Sequence, residues 1–308
     1  MKKTAPVAVI DLGTHSALLL IAELQENNRL HVLKEDFRIT RLGAGIGKSD
    51  ELLPENQAYA LTQLKTFQNE IKEFAVDRTV VLATEALRQA SNANAFLQRI
   101  QDAFGWQVTV LSPQEEAQLT YLGAVSVFDD FASKPFTVVD VGGGSTEITM
   151  GKGKSIKNIR SLPVGVVRLA EKLNYKEKII SRDIAGIQEF LDAWFDEYEL
   201  KKLTEDTILV GTGGTITTAA AIKQKMEVYD AETIDKTSLT LDELLMMFED
   251  LNAKSLQERK AVPGLEAGRE DVIIYGLIIY IHFLQRAGIW RIKVSSRGLR
   301  HGYLLGEN

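Results

Sequence analysis

The chain has 308 residues, 45% hydrophobic and 25% charged, with no cysteine and a formal net charge of −6. Such a chain can bury a substantial core, and its length favours about two domains. The missing cysteine excludes disulfides, thiolate nucleophiles and cysteine zinc sites and fits a reducing, cytoplasmic setting, while the interspersed acidic charge argues against a nucleic-acid surface.

The opening MKKTAPVAVIDLG carries two lysines, but Asp11 interrupts the apolar run too early for a secretory signal. VAVIDLG and SALLLIAEL read as strands around a turn, and LHVLKEDFRIT supplies a third. GAGIGKS (43–49) imitates a phosphate-binding P-loop, but Leu42 stands where that motif demands glycine, so a loop is expected. Leu61, Leu64, Phe67, Ile71 and Phe74 recur at helical spacing. A strand at 78–84, a helix at 91–105 ended by Gly105, a strand at 106–111 and a helix from Ser112 complete this half.

The pattern then recurs. FTVVDVGG, STEITMGKG and KSIKNIRSLPV give three strands, GVVRLAEKL and the segment 181–200 are helical, and TILVGTGG leads into the helix TITTAAAIKQK. Thr240 and Glu243 stand at capping-box spacing. A long helix is expected from about Gly264 to Ala287, then the strand WRIKVSS and GLRHGYLL. The longest apolar run, VIIYGLIIYIHFL, falls short of the ~20 residues of a membrane span, so no membrane partner is expected.

Both halves open alike: VIDLGTHS matches VVDVGGGS, and Asp11 matches Asp140. A duplicated strand, acid and glycine turn suggests two similar lobes with their turns facing each other across a cleft. Backbone amides at Gly13, Thr14 and Ser16, and at Gly142, Gly143, Gly144 and Ser145, could grip a polyphosphate from both sides. Ordinary hairpin turns are the competing explanation. Asp11 and Asp140, at strand ends, could hold a divalent cation directly or through water. In VGTGGT, Gly211, Gly213, Gly214 and Thr215 add a helix N-terminus to a third turn, unless this is only a tight β-to-α connection.

Ser112, Pro113 and Glu115 make a capping box, which gives Glu115 a structural task. Glu116 has none, and it leaves a helix start at the C-terminal end of a strand, where α/β folds place their sites. A solvated helix-start glutamate is the alternative. Arg88, in ATEALRQA, could stabilise charge on a transferred phosphoryl group or form a surface salt bridge.

DLGTHS, TRLGAG, ATEALRQA, SPQEEA, DVGGGSTEI, LPVGVVRL, GTGGTITTAAA and SSRGLRHG stand in the order found in the exopolyphosphatase and guanosine pentaphosphate phosphohydrolase family, which the chain resembles over nearly its whole length. The resemblance implies an α/β fold of two ribonuclease-H-like domains, as in actin, Hsp70 and sugar kinases, facing a central cleft. Residues 1–126, which 299–308 could complete, would form one domain and 127–298 the other. The implied activity is release of terminal orthophosphate from inorganic polyphosphate or of the 5′ γ-phosphate of pppGpp, an activity of the stringent response, with Mg²⁺ or Mn²⁺ as cofactor. Glu116 becomes the general base and Arg88 takes the family's arginine position after ATxA; Asp140, Glu147 and Asp11 become metal or water ligands. Gly142 to Ser145, the GTGGT turn and Arg269 become phosphate contacts. The implied partners are polyphosphate or a guanosine polyphosphate, with a homodimer as the oligomeric state kept open. Two departures stand out: His15 replaces a usual asparagine, and Leu18 a frequent arginine, for which Arg269 could partly compensate. The chain also ends after GLRHGYLL, without the helical extension of longer exopolyphosphatases, which bears on its grip of very long chains. An ATP-dependent kinase or ATPase of the same fold, and a non-catalytic polyphosphate or alarmone binder, are the rival readings.

Overall fold

The computed structural model describes residues 5–26, 29–129, 131–197 and 206–307. The chain divides into two compact units, Met1–Gly123 with Gly298–Asn308, and Ala124–Arg297.

The first unit is laid out as β1 (Val7–Leu12), β2 (Ser16–Leu24), β3 (Leu30–Ile39), α1 (Ile46–Ser49), α2 (Pro54–Ile71), β4 (Arg78–Ala83), α3 (Glu85–Gln89), α4 (Ala93–Phe104), β5 (Val108–Val110) and α5 (Pro113–Val125). Its sheet has the order β3-β2-β1-β4-β5, antiparallel across the first three strands and parallel from β1 to β5. Alternation along the strands divides the apolar side chains between two faces. Ile10, Leu19, Ile21 and Val81 pack with Phe67 and Phe96 of the helices on one side. Val9, Leu20 and Leu82 pack on the other with Leu299 and Leu304, which belong to the chain's last helix. Gly105 ends α4 in the left-handed region, its N–H bonded to the Gln101 carbonyl at 2.8 Å, as the glycine position predicts.

The second unit comprises β6 (Pro135–Val141), β7 (Thr146–Lys152), β8 (Ser155–Leu162), α6 (Val166–Lys172), α7 (Ser181–Glu197), β9 (Ile208–Thr212), α8 (Gly214–Gln224), α9 (Ala231–Ile234), β10 (Ser238–Thr240), α10 (Leu241–Ala253), α11 (Leu256–Arg259), α12 (Ile273–Ala287) and β11 (Arg291–Val294). The end of the helix expected over 181–200 lies outside the described residues. The six strands are ordered β10-β11-β9-β6-β7-β8. Read from β8, the series β8-β7-β6-β9-β11 repeats β3-β2-β1-β4-β5 strand for strand, and β10 is added antiparallel at the edge. The duplication heard in VIDLGTHS and VVDVGGGS is thus a duplication of a ribonuclease-H-like sheet.

One expected element is shorter than its apolar pattern. The helix starts at Ile273 rather than near Gly264, because Gly264 and Gly268 both hold φ +88°, a value helical residues do not take. Once begun, α12 is buried from Ile273 to Leu284 and forms the spine of this unit's core. The expected capping box is present: Thr240 accepts from the Glu243 N–H at 3.1 Å and Glu243 accepts from the Thr240 N–H at 2.9 Å.

The chain then returns to the first sheet as α13 (Leu299–Gly306). This helix crosses α5 where each has a glycine: a Cβ on Gly302 would stand 3.0 Å from the Gly123 nitrogen, and one on Gly123 as close to that of Gly302. Arg300 donates to the Leu19 carbonyl and pairs with Glu35 at 3.2 Å, and His301 lies 3.4 Å from the same carboxylate. Among the described residues no helix is long and apolar enough to cross a membrane.

Candidate active site

In the first unit the parallel strands β1, β4 and β5 end side by side, and the candidate residues stand at or just beyond those ends. Glu116 is in the first turn of α5, while Glu115 is held away from it by the capping box with Ser112, whose N–H donates to the Glu115 carboxylate at 2.8 Å. Arg88 Nη1 donates to the Leu111 carbonyl at 2.6 Å and to Glu116 at 3.0 Å. The Glu116 side chain is only 12% exposed. Its pKa is pushed up to about 7, because burial outweighs the opposing pull of Arg88, with Asp11 and Glu85 raising it further. The solvated-glutamate alternative is therefore excluded by the burial. Glu85, buried at the start of α3, received no role from the sequence; its carboxylate takes a hydrogen bond from Gln89 at 2.8 Å.

The first glycine turn lies next to this cluster. Gly13 N–H closes it on the Ser16 carbonyl at 2.9 Å, and Thr14 is buried while Ser16 is half-buried. His15 is also buried. Leu18, the departure from the family pattern, is the register partner of Asp11 across β1 and β2, and Phe37 continues that row on β3.

The second unit carries the matching row, with different chemistry. Asp140 is opposed to Glu147 across β6 and β7, and Glu147 to Ser161 across β7 and β8. The Ser161 hydroxyl donates to the Glu147 carboxylate at 2.7 Å. Acid, leucine and phenylalanine in one sheet correspond to acid, acid and serine in the other. Ser161 was invisible to sequence reasoning, since a bulge between Met150 and Gly151 shifts the register that brings it opposite Glu147. Two neighbouring carboxylates are the hard-oxygen donors that Mg²⁺ or Mn²⁺ takes, completing its shell with water and phosphate oxygens. Among the described residues no group of three or more such side chains stands together, and Asp140 with Glu147 is a pair of them. Asp11, with a leucine as its neighbour, has no second acid on its row.

Gly142 to Ser145 form the turn above Asp140, closed by the Gly142 N–H on the Ser145 carbonyl at 2.9 Å. Thr146 fastens its far side through a 2.6 Å bond to the Val164 carbonyl. The third turn approaches from β9. Gly213 has φ +84°, and a Cβ there would strike Asp140 Oδ1, so glycine is required both by conformation and by space. Arg269, 9% exposed and bonded through Nε to Glu266, lies against Gly214 at the start of α8, which leaves no room for a side chain at that position. Thr215 is buried behind it against Gly276. Beneath both turns the Tyr280 hydroxyl lies 3.0 Å from the Val139 carbonyl and 2.8 Å from that of Thr212, tying β6 to β9 one residue before Asp140 and one before Gly213. The unit thus gathers Asp140, Glu147, Gly142 to Ser145, Gly213, Gly214 and Arg269 at one end of its sheet.

These arrangements have close counterparts. The chain is 32% identical over 312 residues to a bifunctional 3-dehydroquinate synthase/phosphatase of Fusobacterium nucleatum, matching 97% of this chain but spanning only 46% of that protein. It is 30% identical to exopolyphosphatase 2 of Mycobacterium tuberculosis, with 97% of each chain covered. Among solved structures, that of the Aquifex aeolicus Ppx/GppA family member superposes with a TM-score of 0.81 at 32% identity, covering 98% of this chain and 97% of the other. The profile of the Ppx/GppA phosphatase family matches residues 20–308, from the first hairpin through the returning helix. On this match and the shared fold, the chain belongs to the Ppx/GppA phosphatase family.

Proposed function

We propose that the chain hydrolyses phosphoanhydride bonds, releasing orthophosphate from the end of inorganic polyphosphate, with the 5′ γ-phosphate of pppGpp as a second substrate of the same chemistry. The observation that carries this reading is Glu116: a buried carboxylate tuned near neutrality, beside an arginine, at the end of three parallel strands. A base with a pKa near the working pH balances availability against basicity. Glu116 accepts a proton from the attacking water as its oxygen bonds to the terminal phosphorus. The bond from that phosphorus to the bridging oxygen breaks, and the shortened chain leaves with the electron pair. Arg88 fixes the carboxylate through Nη1, and its Nε and Nη2, which have no partner among the described residues, would donate to phosphate oxygen in this reading.

In the first unit the amides of Thr14 and Ser16, and in the second those of Gly143 to Ser145 with Gly213, Gly214, Thr215 and Arg269, are the phosphate-holding groups of this reading; the Gly13 and Gly142 N–H groups, expected from the sequence to join them, are spent on closing their own turns. In the second unit Asp140 and Glu147 would hold Mg²⁺ or Mn²⁺, and in the first Asp11 would bind such an ion through water; when bound, the ion supplies charge neutralisation on the phosphate oxygens. Most of the rate in such transfers comes from positioning and electrostatics. The decisive experiment incubates the protein with long polyphosphate, tripolyphosphate, pppGpp and ATP, each with Mg²⁺ or Mn²⁺, and follows labelled terminal phosphate. Label in orthophosphate supports hydrolysis. Label on an acceptor assigns a kinase, and tight binding without release assigns a sensor.

A further inference from the structure

The segment Leu162 to Arg168 lies outside the catalytic reading, yet it grips the phosphate turn. The Gly142 carbonyl accepts from the Val166 N–H at 3.0 Å, and the Gly143 carbonyl accepts from Val167 at 2.8 Å and from Arg168 at 3.3 Å. In a trans peptide the C=O and the following N–H point in opposite directions. Two carbonyls drawn toward the first turn of α6 therefore aim the N–H groups of Gly143 and Gly144 to the other side. Neither of those amides, nor that of Ser145, donates to any group among the described residues. Successive amides on one side of a turn form an anion-binding concavity.

Gly165 is where this arrangement excludes substitution. Its φ of −139° and ψ of 178° are open to any residue, so conformation does not demand glycine here. Space does: a Cβ would stand 2.6 Å from the Gly142 oxygen and 2.6 Å from the Gly143 carbonyl atoms. The first unit repeats the device independently. After β3, Gly43 N–H bonds the Thr14 carbonyl at 2.9 Å, and the Thr40 and Arg41 N–H groups bond that of His15 at 3.0 and 2.8 Å. A Cβ on Gly43 would press on the Thr14 side chain at 2.5 Å. In both sheets the segment after the third strand returns to hold the carbonyls of the glycine turn, and a glycine makes the approach possible.

We propose that Gly165 and the first turn of α6 are positioning elements of the reaction. They act through the Gly142 and Gly143 carbonyls, touch no substrate, and set the direction of the Gly143 and Gly144 amides. The proposal rests on the phosphate-binding role given to that turn above.

Gly165→Ala is the direct test, and Val166→Pro the second. Proline is accepted at the first position of a helix, so Val166→Pro keeps α6 but removes one donor to the turn and sets a ring carbon against the Gly142 oxygen, which must move away. Gly186→Ala, with open space around its Cβ, is the control in the same unit. With tripolyphosphate and Mg²⁺, kcat/KM should fall about 10²-fold in Gly165→Ala, the loss typical of ångström-scale misplacement. In Val166→Pro it should fall at least about tenfold, for one lost hydrogen bond and the displaced Gly142 carbonyl. The amide ¹H–¹⁵N resonances of Gly143 and Gly144 should move in both variants and stay in place in the control. These resonances are read without substrate, so they test the brace even where the protein proves not to be a hydrolase. Wild-type kcat/KM together with unmoved Gly143 and Gly144 resonances, in whichever of the two variants folds, overturns the proposal.

Discussion

At the scale of single residues, Glu116 concentrates what can be tested. Glu116→Gln should lose about 10²- to 10⁴-fold in kcat while still binding substrate; turnover near wild type would remove it from the role. Because the base works ionised, kcat/KM should climb with pH through a limb near 7. Arg88 lowers this pKa, so Arg88→Met should shift the limb to higher pH as well as slow the reaction. The same raised pKa has a stability consequence of definite sign. The folded state binds the proton more tightly than the unfolded one, so the contribution is complete below the unfolded value of 4.5 and is lost as pH rises through about 7. Glu116→Gln should therefore raise Tm more at pH 8 than at pH 4, a comparison that calorimetry makes directly. Glu115 and Glu116 also show where sequence reading succeeds and stops. A capping box is a local pattern and identifies Glu115 by spacing, whereas the environment that tunes Glu116 includes Arg88, Asp11 and Glu85, which only the fold brings to it.

At the scale of elements, the two hairpins show one architecture with divided chemistry. Asp11 and Asp140 are equivalent by register, but their neighbours Leu18 and Glu147 are not. The second sheet has the paired carboxylates, and Ser161 orients one of them. Ser161→Ala should weaken activation by Mg²⁺ about 10- to 100-fold, the usual cost of losing an outer-shell partner, and the metal titration of phosphate release reads it. A change confined to Tm would make Ser161 merely structural. Strands and glycine turns were legible because alternation and turn chemistry are local. The start of α12 was not, since Gly264 and Gly268 look tolerable inside an apolar helix until their positive φ is seen. Thr240→Ala removes a cap far from the turns and should cost about 1 kcal/mol with kcat unchanged.

At the scale of the whole molecule, the sequence announced two similar halves through the matched openings VIDLGTHS and VVDVGGGS, and the strand orders repeat accordingly. The return of α13 to the first sheet was less legible, because GLRHGYLL carries no partner in its own pattern; the Arg300 and His301 contacts to Glu35 supply it. Ligand linkage offers a test that spans the molecule. With Mg²⁺ and tripolyphosphate at a hundred times Kd, the Glu116→Gln protein should gain about 2.7 kcal/mol of stability, seen as a rise in Tm, and chelation of the metal should abolish most of it. An equal rise without metal would separate phosphate binding from Asp140 and Glu147.

The docking of α13 also imposes an order on synthesis. Val9, Leu20 and Leu82 are translated early, yet their cover, Leu299 and Leu304, leaves the ribosome hundreds of codons later. Until then that face of the sheet has little more than Leu111 and Leu119 for cover, and a chain cut just before Gly298 should expose Val9, Leu20 and Leu82, which limited proteolysis would read as faster cleavage of the first unit.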